Sequence, residues 1–160
     1  MIVLLLTASV LAAPHFTDSV RRHVDVSVTS PQARTKPNRP SFQATKILEV
    51  QFHAEFRQRL SGDHLVEFKV YTPKGKLYQV LSVPFTGRGG ARKARKVAGY
   101  PRALEEKDMR EVASKYHVTS SLPVAGTWIM TNSLYGQWRV DAHIDGSPLA
   151  SGHETFTIQP

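Results

Sequence analysis

Apolar side chains recur at every second position in two stretches of this 160-residue chain. Leu48, Val50, Phe52, Ala54 and Phe56 alternate with Glu49, Gln51, His53 and Glu55, and Trp138, Val140, Ala142 and Ile144 alternate with Arg139, Asp141 and His143. Successive side chains of an extended chain point to opposite faces, so period two marks a half-buried strand and is incompatible with an amphipathic helix. Whatever this chain folds into must bury one face of at least two such strands.

The punctuation between apolar stretches is that of hairpins. Thr72-Pro73-Lys74-Gly75-Lys76 has turn chemistry and predicts a hairpin over 65–85, and Asp145-Gly146 predicts a tight turn after the second alternating strand. Tyr116, Val118 and Leu122 indicate a further strand, the run Trp128-Ile129-Met130 follows a turn, and Phe156 and Ile158 point inward on a closing strand. One segment, 101–114, carries a helical signature: Pro101 near its start, Glu105 and Glu106 in its first turns, and Leu104, Met109 and Val112 within one broad arc. A parallel α/β fold needs a helix between successive strands, and only this one is available. The expectation is an all-β, antiparallel β-sandwich at 45–160, a single domain, with one short helix on a long basic connection.

The C-terminal motifs resemble a known family. Leu122-Pro-Val-Ala-Gly126-Thr-Trp128, Tyr135-Gly136-Gln-Trp138-Arg-Val140, the Asp145-Gly146 turn and Thr155-Phe156-Thr-Ile158 are similar to the immunoglobulin-like and fibronectin-type-III-like β-sandwich domains of secreted bacterial proteins. The resemblance implies a non-catalytic module for binding or architecture, with function in its loops. It departs from that pattern in two ways. There is no cysteine pair to bridge the sheets, and the connection 86–114 is longer and more basic than such sandwiches use.

The N-terminus bears on compartment. Met1 to Ala13 contains no charged side chain, and Val10-Leu11-Ala12 places small or compact residues where a signal peptidase reads. At about a dozen residues the run is shorter than the ~20 a spanning helix requires. It reads as a signal peptide at 1–12, giving a secreted or periplasmic protein with no transmembrane helix after cleavage. Residues 13–44 hold Pro31, Pro37 and Pro40, which cannot donate to a strand ladder, and read as an extended basic arm. Val24, Val26 and Val28 alternate within it and admit a short strand.

The chain carries a formal charge of +8 with 21 Lys+Arg and 13 Asp+Glu, and no Cys. The missing cysteine excludes thiolate metal sites, disulfides and a cysteine nucleophile. The charge is concentrated in Arg88, Arg92, Lys93, Arg95 and Lys96, five cations with no acid among them in nine residues. Only small residues separate them, which suits many screened contacts to a polyanion. Without interleaved aromatics, base stacking is not indicated. An envelope polysaccharide, an anionic lipid, extracellular DNA or a protein is therefore the expected partner, with intracellular nucleic acid disfavoured by the leader. Trp128 and Tyr135, beside the polar turn Thr131-Asn132-Ser133, form a second candidate contact surface.

No nucleophile elbow, P-loop or dinucleotide motif is present, and no HExxH or His-x-His, so no catalytic residue, cofactor or metal ligand is assigned. Two other functions stay open at this level. A small extracytoplasmic hydrolase or inhibitor on the same scaffold would need a cleft with converged polar side chains. A nucleic-acid-binding protein would need the N-terminal apolar run to be structural.

Overall fold

The computed structural model describes residues 24–33, 40–90 and 93–160. The signal-peptide reading and Arg92 lie outside the described residues. The chain is all-β. Its strands are β1 (Val24–Thr29), β2 (Ser41–Gln43), β3 (Glu49–Phe56), β4 (Asp63–Tyr71), β5 (Leu77–Thr86), β6 (Ala94–Arg95), β7 (Leu104–Glu105), β8 (Lys107–Asp108), β9 (Arg110–Val112), β10 (Lys115–Pro123), β11 (Gly136–Ile144) and β12 (Ser147–Gln159). Among the described residues, one α-helical turn, α1 (Trp128–Thr131), and a 3-10 turn at Ala44–Lys46 accompany them.

Ten of these strands form one mixed sheet in the order β8-β5-β4-β11-β12-β1-β3-β10-β9, with β2 also paired to β12; β6 and β7 form a separate ribbon. The sheet nearly closes on itself. β8 pairs with β5 at one end of the order and β9 pairs with β10 at the other, and only Met109 separates β8 from β9. One bent segment thus joins both margins of the sheet, and Met109 turns inward, 6% exposed.

The core follows from the period-two pattern. Val50, Phe52, Ala54 and Phe56 of β3, Val66, Phe68 and Val70 of β4, and Trp138, Val140, Ala142 and Ile144 of β11 are all buried. Trp138 stacks on Phe156 (ring centroids 6.2 Å apart), meets Tyr78 edge-on at 5.3 Å and donates its Nε1–H to the Leu134 carbonyl at 2.9 Å. A buried indole thus has its polar atom satisfied, as burial demands. The 72–76 turn and the Asp145-Gly146 turn stand where expected. Asp145 and Gly146 both have positive φ (47° and 79°), the backbone of a type I′ hairpin turn.

Four expectations are corrected. Val24–Thr29 and Ser41–Gln43, within the stretch read as an arm, belong to the sheet: β1 lies between β3 and β12, and β2 runs parallel to the end of β12. Alternating Val24, Val26 and Val28 are buried, and that burial offsets the lack of regularity around the prolines. The segment 101–114 holds β7, β8 and β9 in place of a helix. Its apolar residues were too sparse for a helical stripe, and each short piece finds a different extended partner. The one α-helical turn is instead at Trp128–Thr131, where Thr127 caps by accepting from the Ile129 amide. Leu48, counted with the inward residues of β3, is 63% exposed, because β3 begins after it and its carbonyl is taken by the amides of Val124 and Ala125.

β12 is irregular where it must serve two neighbours. Its register with β11 jumps between Asp141↔His153 and His143↔Pro148, and the extra residues bring Ser151 opposite Asp25 of β1. Gly152 makes the excursion feasible: a Cβ there would lie 2.6 Å from Leu149 Cβ and 2.8 Å from the Ala142 carbonyl oxygen.

Candidate functional site

The strand directions sort the loops into two ends. The β3–β4 connection, the end of β5, the β9–β10 turn and the β11–β12 turn share one end. The other end carries the β4–β5 turn and the 124–135 connection.

The first end is basic. Arg88, at the start of the cationic segment, is exposed, and its backbone is clasped to the β3–β4 connection. Arg88 N–H donates to the Leu60 carbonyl at 2.7 Å, and Gly62 and Gly87 exchange amide bonds with Arg88 and Gly62 carbonyls at 3.2 and 2.7 Å. This approach demands glycine at 87, where a Cβ would meet the Leu60 carbonyl. The clasp joins Arg88 to the β3–β4 connection, which carries exposed Arg57 and Arg59. Neither was singled out from sequence, although the 65–85 hairpin already implied that the chain entering its first strand and the chain leaving its second meet at one end.

The rest of the segment is built in. Lys93 is exposed, but its amide donates to Glu106 Oε2 at 3.1 Å and its carbonyl accepts from the Glu106 amide at 3.0 Å. Lys96 Nζ donates to the carbonyls of Tyr100 and Pro101 at 3.1 and 3.0 Å. Tyr100 ties this excursion to β5, donating to the Val80 carbonyl at 3.0 Å and accepting from Ser82 N–H at 2.8 Å. This cover buries the final six residues of β5 on both faces. Arg95 is half-buried and lines a cavity of about 330 Å³ with Asp63, Lys93 and Glu106; its Nη1 is buried without a hydrogen-bond partner. Of the segment's described cations, then, Arg88 and Lys93 face outward, while Arg95 and Lys96 engage or line their own loop.

Three acids at this end, Asp63, Asp145 and Glu106, accept hydrogen bonds within the protein, while Glu111 is exposed. Asp63 Oδ1 accepts from Thr86 Oγ1 at 3.0 Å. Asp145 Oδ1 accepts from Leu65 N–H and its Oδ2 from His64 Nδ1–H, both at 2.8 Å. His64 Nε2–H points at the Ser61 carbonyl, 2.9 Å away. Burial alone would lower the His64 pKa, but Asp145, through its hydrogen bond and its charge, and the Ser61 carbonyl outweigh it and raise it above the ordinary value. With an acceptor at each ring nitrogen, the imidazolium is the form that satisfies both.

Trp128 and Tyr135 lie at the opposite end. Trp128 opens α1 and is 72% exposed, whereas Tyr135 is half-buried against the core. They are not brought to the basic residues.

A third feature, not singled out from sequence, is a lateral cleft of about 230 Å³ on the outer face of β1, β3, β10 and β9. Its floor is His53, whose Nε2 lies 2.8 Å from Thr29 Oγ1 and whose Nδ1 lies 2.9 Å from Thr119 Oγ1. Burial, and then the adjacent His117, hold His53 below its ordinary pKa. Burial would raise the Glu55 carboxyl, but hydrogen bonds from Ser27 Oγ (2.6 Å) and Lys115 Nζ (2.9 Å) and the Lys115 charge outweigh it and lower it. His53 and His117 belong to no sequence motif; cross-strand register, invisible until the pairing is known, brings them to 6.3 Å centroid separation.

Among the described residues no group of three or more His, Asp or Glu is placed to hold a metal ion, and no helix is long and apolar enough to cross a membrane. No protein-family profile and no curated protein matches the chain. Among solved structures, it is similar to the Pseudomonas fluorescens alkylpurine DNA glycosylase AlkC bound to DNA containing an abasic site analog, at 9% identity and a TM-score of 0.39. The likeness covers 86% of this chain and 31% of the glycosylase chain, and at that score no functional weight rests on it.

Proposed function

We propose that the chain is a non-catalytic, extracytoplasmic binding module that holds a polyanion, an envelope or extracellular polysaccharide, on its basic end. The finer fold assignment belongs to this proposal: the sheet serves as immunoglobulin-like domains do, a rigid scaffold that presents loops at its ends. The paired hairpins β4–β5 and β11–β12 and the aromatic core between them support it, while the parallel pairings of β12 set this chain apart. The apolar stretch ending Val10-Leu11-Ala12 supports export.

The observation that carries the proposal is the clasp between the β3–β4 connection and Gly87-Arg88. It brings together the loops of the end that carries exposed Arg57, Arg59, Arg88 and Lys93, while Asp63, Asp145 and Glu106 accept hydrogen bonds from the protein itself. Exposed cations grouped on the loops of one end suit a polyanion, and affinity then comes from counterion release. Replacing Arg57, Arg59, Arg88 and Lys93 together by alanine is expected to lower the salt needed for elution from a polyuronate or heparin column. The slope of log affinity against log salt should fall by about 3, at ~0.7–0.9 per contact. Unchanged retention would sink the proposal.

A further inference from the structure

The outer face of β1, β3 and β10 carries the lateral cleft, and Arg110 and His117 meet on its wall. Arg110 of β9 is directly opposite His117 of β10 in the antiparallel register. Directly opposed side chains have Cβ atoms ~4.5–5.5 Å apart, close enough to contact one ligand group together. Among the described residues neither side chain makes a hydrogen bond or an ion pair. Glu55, opposite His117 on the other side, is engaged by Ser27 and Lys115. Arg110 and the His117 ring, neither hydrogen-bonded among the described residues, offer adjacent donors to an anionic group on the wall of the cleft, beside the lone pairs of Glu55.

The rest of the cleft is suited to hydroxyl groups. A neutral imidazole donates from one nitrogen and accepts at the other, so of Thr29 and Thr119 one donates to His53 and the other accepts from it. The accepting threonine keeps its own O–H free for a ligand. Each Glu55 oxygen has a lone pair to spare beyond its single protein donor. Val112, two residues from Arg110 and on the same side of β9, is 46% exposed and offers an apolar wall. The volume is below the ~300–1,000 Å³ of drug-sized sites, so the occupant is small.

We propose that this cleft binds one acidic sugar residue: a hydroxyl-bearing ring whose carboxylate pairs with Arg110 and His117, whose hydroxyls meet Glu55 and the threonines, and whose C–H face lies on Val112. The inference rests on the polyanion reading above and names the unit recognised, with the rim supplying charge and the cleft supplying identity.

Titration of the full chain with galacturonate, glucose, acetate and inorganic phosphate, followed by calorimetry and by the ring signals of His53 and His117, tests it. Galacturonate should saturate and bind at least tenfold tighter than glucose or acetate. Arg110→Ala and His117→Gln should each weaken galacturonate about tenfold, the value of one charge-assisted hydrogen bond. Both positions are off the core, so their variants should keep the wild-type melting temperature. Equal binding of acetate, phosphate and galacturonate would reduce the cleft to an anion site and overturn the sugar assignment, as would no binding at all. The rim and the cleft separate cleanly. A variant lacking the four rim cations should still bind galacturonate while losing polymer retention. Polymer retention by a chain that does not bind galacturonate would overturn the cleft and leave the rim standing.

Discussion

His64 and Asp145 lie 81 residues apart in sequence and 2.8 Å apart in space, tying the start of β4 to the β11–β12 turn. Because the His64 pKa is raised on folding, its stabilisation is complete below the ordinary value of 6.5 and is lost as pH rises through the folded value above it. His53 acts in the opposite window. Its pKa is lowered on folding, so protonation opposes the fold, and stability falls as pH drops from 6.5 through its folded value. Melting temperature should therefore peak near neutrality and decline on both sides. Asp145→Asn keeps a residue that tolerates positive φ but removes the charge; it should cost about 1.5–3 kcal/mol at neutral pH and abolish the decline on the alkaline side. A melting series from pH 5 to 9 on both proteins decides it, and an unchanged alkaline limb in the variant would refute the pairing. The role of neither histidine was legible in sequence, where His53 lies between Phe52 and Ala54 and His64 between Asp63 and Leu65. What singles them out is a partner on another strand.

The strongly patterned elements were legible, and the weakly patterned ones were settled by neighbours. β3, β4, β11 and β12 place inward the residues that period two selects, because burying one face of a strand dictates its register. Leu48 shows the limit: the alternation extends one step beyond the ladder. Residues 101–114 show another. With few apolar side chains, their conformation is chosen by the margins of β5 and β10, which lie near them only after the sheet has formed. The two cations Arg57 and Arg59 escaped for the same reason, since their relation to Arg88 exists only across the clasp. Gly152 is the element-scale position most open to test. Gly152→Ala forces a methyl against Leu149 and the Ala142 carbonyl, and overpacking of this kind costs about 1–3 kcal/mol. Chemical denaturation should show a lower midpoint with an unchanged slope; a neutral result would mean that β12 does not need its irregular register.

At the scale of the whole molecule, a single sheet encloses the aromatic core, and its two margins, β5 and β10, lie near each other and are hydrogen-bonded to strands within 107–112. That line is short: β8 pairs with β5 at two residues and β9 with β10 at three. Local opening should begin where the fewest hydrogen bonds hold. Native-state hydrogen exchange is expected to show the amides of 107–112 protected far less than those of β4 and β11, and equal protection would contradict a weak seam. Were the seam to part, the barrel would unroll into a ribbon with β5 and β10 as naked margins, each a template for strand addition by another copy. Conditions that merely loosen 107–112, well short of melting the core, would then be enough to start self-association.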